Sequence, residues 1–274
     1  MKVRQIARHL PDRTAPPAVT VGAAMAARYG FLFGPRWIAF HLLVIAAIVA
    51  MINLGFWQLR RLDERRDFNE QVSSRIDLPA EPLDDVIGAT TDPDALEWRS
   101  VEASGTYLAD EQFVVVNRSQ GGRAGDLVVT PLALDDGRIL LVERGFVPLD
   151  ADNAPAPSGD VEIVGRLRPS QERRRGQLSD PAEGDLTEVQ RVDIDRLAAQ
   201  LPGTVVPMYV ELVESTPAET GPFPEPIEVP ELDEGPHLSY AVQWFIFAVC
   251  VAVGWVLAVR HSIRSRRLAS PVAR

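Results

Sequence analysis

Cysteine is all but missing from this chain: Cys250 is the sole one among 274 residues. No intrachain disulfide can form, and covalent haem attachment through Cys-x-x-Cys-His is excluded. A copper carrier is excluded as well. A soft metal needs paired thiols or clustered thioethers, and Met1, Met25, Met51 and Met208 are scattered along the sequence. Lysine is almost absent too, with Lys2 standing against 27 arginines, a bias that points to a GC-rich bacterial genome. No Gly-rich phosphate loop, His-Glu-x-x-His helix or Gly-x-Ser-x-Gly elbow occurs, so the enzyme classes built on those motifs have no foothold. Acidic pairs such as Asp84-Asp85 and Asp135-Asp136 read as solvated turns. A carboxylate-dependent hydrolase would need two of them to converge in a concave site.

What the chain does have is two long runs free of Asp, Glu, Lys and Arg, residues 37–59 and 238–259. A helix rising ~1.5 Å per residue needs roughly 20 residues to cross ~30 Å of hydrocarbon, so each run predicts a transmembrane helix. Trp37 and Trp57 bracket the first run, while Tyr240, Trp244 and Trp255 lie in the second, as expected of rings that favour the headgroup layer.

Net charge is −10, but it is unevenly divided. Residues 1–36 hold six Lys/Arg against Asp12, and residues 260–274 hold five Arg and no acid, so the tails carry +10 and the remainder −20. A middle domain that acidic repels phosphate, which argues against nucleic acid as a partner. The five arginines after the second run place that end in the cytoplasm by the positive-inside rule. Arg60, Arg61, Arg65, Arg66 and Arg75 after the first run vote the other way. Two spans require both tails on one side, and the combined tails outweigh that cluster. Both termini are therefore expected in the cytoplasm, with residues 60–237 outside. A cleaved signal peptide fits poorly because the apolar core is too long, although an Arg-rich transit peptide stays open.

The domain layout predicted is a disordered basic arm over 1–36, a first transmembrane helix over 37–59, an extracytoplasmic β-rich domain over 60–213, an acidic Pro-rich linker over 214–236, a second transmembrane helix over 237–259 and a basic tail over 260–274. The fold class is a membrane protein with two transmembrane α-helices flanking an extracytoplasmic α+β domain, mainly antiparallel β. The first helix continues into water, with Arg60 and Glu64 four apart, and ends before Leu78-Pro79. Strands are expected at 98–107, 112–117, 127–134, 138–147, 161–167 and 205–213. Asp135-Asp136-Gly137 joins the third and fourth as a hairpin. Asp193 caps a helix over 194–201 that Pro202-Gly203 stops. The Arg173-Arg174-Arg175 triplet is either a solvated loop or an anion contact. Segment 214–236, with six Pro, seven acids and no base, is too polar for a core of its own and serves as a stand-off or an acidic strip.

Four segments, in order, resemble the SURF1 family of membrane-anchored cytochrome c oxidase assembly proteins. They are 54–62 (LGFWQLRRL), 101–107 (VEASGTY), 125–148 with its VTPL and LVERGFVP stretches, and 237–244 (HLSYAVQW). The resemblance covers roughly residues 45–260. It implies a protein without turnover chemistry that assists maturation of a haem-copper oxidase, with oxidase subunits or haem a synthase as partners. It also implies a part in haem a delivery or insertion into the catalytic subunit. A scaffold that holds the oxidase or a supercomplex without binding haem is the alternative. The membrane implied is the bacterial plasma membrane, or the mitochondrial inner membrane in a eukaryote.

His237 is the strongest chemical candidate, since a neutral imidazole can ligate haem iron at the membrane edge beside Tyr240 and Trp244. The competing reading is an interfacial histidine with its tip among headgroups. His41 cannot share one haem with His237 within one protomer, because ~17 residues of helix separate it from the outer end, ~25 Å. It is expected to pack between helices and find a polar partner. Arg144 shares a strand face with Leu140, Val142 and Phe146 and needs an anion there, either in a neighbouring strand or loop or on a partner or haem propionate. Gly145 marks a bulge. Trp57, Gln58 and Arg61 form either an interface with the oxidase or an anchoring belt.

Overall fold

The computed structural model describes residues 29–90 and 92–269, so most of the basic arm (1–28) and the end of the basic tail (270–274) lie outside it. The chain forms two compact units, Arg65–Glu234 and Met1–Glu64 with Gly235–Arg274.

In the first of these, eight strands form one sheet: β1 (Glu81–Pro82), β2 (Ser100–Tyr107), β3 (Phe113–Gln120), β4 (Arg123–Leu134), β5 (Arg138–Pro148), β6 (Asp160–Pro169), β7 (Glu188–Val189) and β8 (Thr204–Thr216). The spatial order is β1-β2-β6-β8-β5-β4-β3-β7, and β2 also pairs with β4. That second pairing, Gly105 to Leu134 through Tyr107 to Leu132, closes β2, β6, β8, β5 and β4 into a five-stranded barrel. Closure pairs each of these five strands on both sides, and the edges that remain are the two-residue strands β1 and β7. Gly105 permits it, because a Cβ there would sit 2.2 Å from the Ala133 carbonyl oxygen.

Alternation along β6 shows how the sequence chooses the inside: Val161, Ile163 and Leu167 are buried, and Glu162 between the first two is exposed. They join Val101, Leu132, Leu140, Val142 and Val210 in the barrel core. Each such side chain contributes ~1.5–3 kcal/mol by leaving water. β5 departs from alternation and is buried from Ile139 to Pro148. Its outer face is covered by a second cluster in which Ile139 and Leu141 meet Phe113, Val129, Ile194 and Leu197.

The hairpin between β4 and β5 has Gly137 at φ +85° as expected. Most ladders are antiparallel, but β5 and β8 run parallel, Val142 opposite Val210. Parallel neighbours need a long crossover, which β6, the following loops and the Ile194–Ala198 helix provide. That helix is shorter than the 194–201 expected. Asp193 caps it by accepting the Arg196 backbone N–H at 3.3 Å.

Segment 214–236 departs most from expectation. β8 runs on to Thr216, and the chain beyond it lies strapped along the domain instead of hanging as a linker. Glu225 bridges Phe146 through paired backbone bonds of 2.9 Å and pairs with Arg123. The Ala154 N–H donates to the Phe223 carbonyl at 3.1 Å. At the strap's end, Arg66 forks onto Glu234 at 2.8 and 2.9 Å, and the Arg65 Nε and Asn69 amide both donate to the Asp233 carbonyl at 2.9 Å. A segment with no core of its own is thus held by ion pairs and backbone bonds.

The second unit contains two helices, Pro35–Arg75 up to its Glu64 boundary and His237–Ala269. The first ends before Leu78-Pro79, as the sequence predicts, and the second carries helical structure ten residues past the predicted boundary at 259. Both are long and apolar enough to cross a membrane, and their apolar side chains are largely uncovered, Leu43 at 68% and Val249 at 62% exposed. Neither helix is buried within the chain. The pair is antiparallel: Trp255 Nε1 donates to His41 Nδ1 at 2.8 Å near one end, and His237 meets Gln58 near the other. Gly55, Ala241 and Ala248 are buried, small residues that let helices approach without a driving hydrophobic force. Asn53, a polar side chain within the first run, bonds the Val49 carbonyl one turn back at 2.8 Å.

Candidate functional site

His237 is the first residue of the second long helix, and its Nδ1 lies 2.9 Å from Gln58 Oε1 on the first. An amide oxygen only accepts, so in the neutral imidazole this pairing corresponds to the tautomer with its proton on Nδ1 and its lone pair on Nε2. The imidazole is half-buried.

Tyr240 and Trp244 follow at three and seven residues, which places them on the same helix face as His237. Tyr240 is 47% exposed and Trp244 half-buried. Phe247 extends the row, meeting Trp244 edge-on with ring centroids 6.0 Å apart. Its position one turn beyond Trp244 is the signal that sequence reading passed over. The row combines three aromatic rings with an imidazole at its end. Across the pair, Phe56 and Phe245 meet edge-on at 5.5 Å, and Phe245 packs over Gly55, where a Cβ would come within 2.7 Å of the ring.

The remaining predicted residues divide. Trp57 is 47% exposed, and Arg61 pairs with Glu64 at 2.5 Å on the helix surface. His41, bonded to Trp255, occupies the opposite end of the helix pair from His237, so the two do not converge. Among the described residues no group of three or more His, Cys, Asp or Glu side chains is placed to hold a metal ion.

Arg144 and Gly145 belong to the β domain. Arg144 is the extra residue of a bulge between Val128 and Val129, where β4 pairs with Gly145 and then Glu143. Gly145 has φ +149°, and a Cβ there would meet the Glu225 carbonyl at 2.2 Å, so the strap can lie against β5 only over glycine. The Arg144 side chain is fully enclosed and forks onto Glu219 of the strap, with Nε to Oε1 at 2.8 Å and Nη2 to Oε2. Nη1 donates to Gln112 Oε1 at 3.1 Å and Nη2 to the Ala154 carbonyl at 3.3 Å. Its anion is therefore inside the chain. Nearby, burial raises the Tyr107 phenol well above its usual range, and the Glu219 charge adds to the effect.

The sequence model of the SURF1 family matches residues 45–249. An uncharacterized SURF1-like protein of Mycobacterium tuberculosis is 32% identical over 249 residues, covering 88% of this chain and 89% of its own length. SURF1-like proteins of Rickettsia felis and Monosiga brevicollis are 26% and 25% identical, covering 81% and 84% of this chain and 98% and 92% of their own lengths. A match over that span, taking in both ends of the helix pair's candidate site and the whole barrel, identifies the chain as a member of the SURF1 family.

Proposed function

We propose that this protein is a two-span membrane protein that assists assembly of a haem-copper cytochrome c oxidase, receiving haem a as cargo at His237 and passing it toward the catalytic subunit. Members of the SURF1 family are known generally as cytochrome oxidase assembly factors. The pairing of His237 with Gln58 carries the haem part of the reading. It orients the ring through Nδ1, so that Nε2 is the nitrogen available to an iron, while Tyr240, Trp244 and Phe247 offer aromatic surface for a porphyrin. The protein's own part is to bind, orient and release.

The uncovered apolar helices support membrane insertion. With both tails in the cytoplasm, the β domain stands on the outer side of the bacterial plasma membrane, or of the mitochondrial inner membrane in a eukaryote. Oxidase subunits and haem a synthase are the partners this reading expects.

The test is purification in detergent from a host that makes haem a, with absorption spectra of wild type and His237→Ala. The expected result is a Soret band lost or shifted by the substitution. A haem spectrum unchanged by it overturns the ligand assignment. Stoichiometric co-purification with the oxidase and no Soret band favours a scaffold instead.

A further inference from the structure

The β domain carries a second site, remote in character from the helix ends. A cleft of about 1060 Å³ opens beside β6 and β8. It is lined by five arginines from separate stretches of chain, Arg118 on β3, Arg168 on β6, Arg173 and Arg174 in the loop that follows, and Arg191 after β7, with Tyr209 of β8 also in its wall. Five guanidinium groups around one cleft concentrate positive charge in a domain that is otherwise strongly acidic.

Two of the five have anions of their own. Arg168 pairs with Glu97 and Glu211, each at 3.1 Å, and its guanidinium carbon lies over the Trp98 ring, 3.8 Å from the centroid. Arg191 pairs with Asp180 at 3.6 Å. The other three do not. Arg118 donates to the Gln190 carbonyl at 2.9 Å and Arg173 to the Gln177 carbonyl at 3.1 Å, contacts that hold the side chains without cancelling their charge. The Arg174 guanidinium is exposed and pairs with no described residue. Asp94 and Glu172 are the unpaired acids in the wall.

Behind the wall, Glu143 of β5 stands opposite Glu211 of β8, 4% exposed and without a hydrogen-bonding side chain. Arg168 and Arg118 are the cations acting on it. Burial, reinforced by Glu211, pushes its carboxyl up to about 8, so at neutral pH it adds no further negative charge beside Arg118.

We propose that this cleft binds a small multivalent oxyanion, a molecule bearing two or more phosphate or carboxylate groups. Guanidinium forks match both groups bidentately, and the volume is that of a small-molecule site rather than a bare ion's. The Arg173-Arg174-Arg175 run, ambiguous in the sequence, contributes two of its three residues to the wall. This site does not depend on haem binding at His237.

The test uses the full chain in detergent micelles at low ionic strength and pH 7, titrated calorimetrically with inorganic tripolyphosphate and with citrate. Saturable one-site binding of either anion is expected, weakened about tenfold in Arg118→Gln and in Arg174→Gln and unchanged in Arg138→Gln, whose side chain pairs with Asp84 and Asp136 instead. Thermal unfolding by circular dichroism verifies that each variant folds. Absence of heat with both anions overturns the proposal, as does an equal loss in all three variants. Capture of a poly-glutamate peptide with neither small anion bound overturns it too, in favour of an acidic polypeptide partner.

Discussion

Arg144 and Glu219 form an ion pair, one partner on a bulge of β5 and the other on the strap that follows β8. The guanidinium is fully enclosed and uses three nitrogens on three acceptors, so removing it leaves a carboxylate, an amide oxygen and a carbonyl short of a donor. Arg144→Ala should cost about 3–5 kcal/mol, the usual consequence of stranding a buried charge. Arg144→Lys keeps the charge but loses the fork, and should fall between. Urea unfolding followed by tryptophan fluorescence measures both. A cost under about 1 kcal/mol for Arg144→Ala would show that the strap is held by its backbone bonds alone.

Glu143 gives stability a pH dependence of known sign. Its carboxyl is pushed from 4.5 up to about 8 by burial and then by Glu211, so between those values the folded state keeps a proton that the unfolded chain releases. Stability therefore falls as pH rises through that window, at most by ~1.4 kcal/mol per unit. Glu211, also raised by burial, adds in the same sense, while Arg168 and Arg118 oppose it. Glu143→Gln should be more stable than wild type at pH 8.5 and differ little at pH 4.5, read from denaturation midpoints. An equal difference at both would assign the effect to packing.

Gly55 sets the approach of the two long helices, because any larger residue meets the Phe245 ring. Gly55→Val should lower thermal stability in micelles by an amount typical of overpacking, ~1–3 kcal/mol. Phe245→Ala in the same chain should recover part of the loss. Additivity of the two substitutions would mean that the residues do not share a contact.

Gln58 is a positioning residue for His237. Gln58→Leu frees the imidazole tautomer while leaving the ring in place, and such supporting partners are worth roughly 10–100-fold in metal affinity. Haem affinity should drop by that order, with a changed pH dependence of the Soret band, and Gln58→Asn should restore less than wild type because its shorter side chain reaches less far. A haem titration indifferent to Gln58→Leu would place the iron elsewhere.

Most of the elements are legible in the sequence because their signals are local. Residues 37–59 and 238–259 exceed any buried helix in apolar length, and both fall within long helices. All six expected strands occur, with ends displaced by up to four residues, since β propensity and turn residues speak for a stretch and not for its last hydrogen bond. The Asp193 cap, the Gly137 turn and the Gly145 bulge were readable for the same reason: each rests on chemistry within a few residues. Of the candidate site, His237, Tyr240 and Trp244 follow from helical spacing, but Gln58 as the partner of His237 does not, because 179 residues lie between them.

The sequence by itself determined two apolar helices, an acidic β-rich middle and an imidazole at the start of the second helix, all consequences of composition and period. Only the tertiary structure decided that β2 returns to β4 to close a barrel, that the acidic Pro-rich segment is held against the domain through Glu219 and Glu225, and that arginines from four stretches converge on one cleft. The division has one physical cause. Hydropathy and turn chemistry act over a few residues, whereas ion pairs and strand neighbours are chosen by which distant segments can be buried together, and no local pattern encodes that choice.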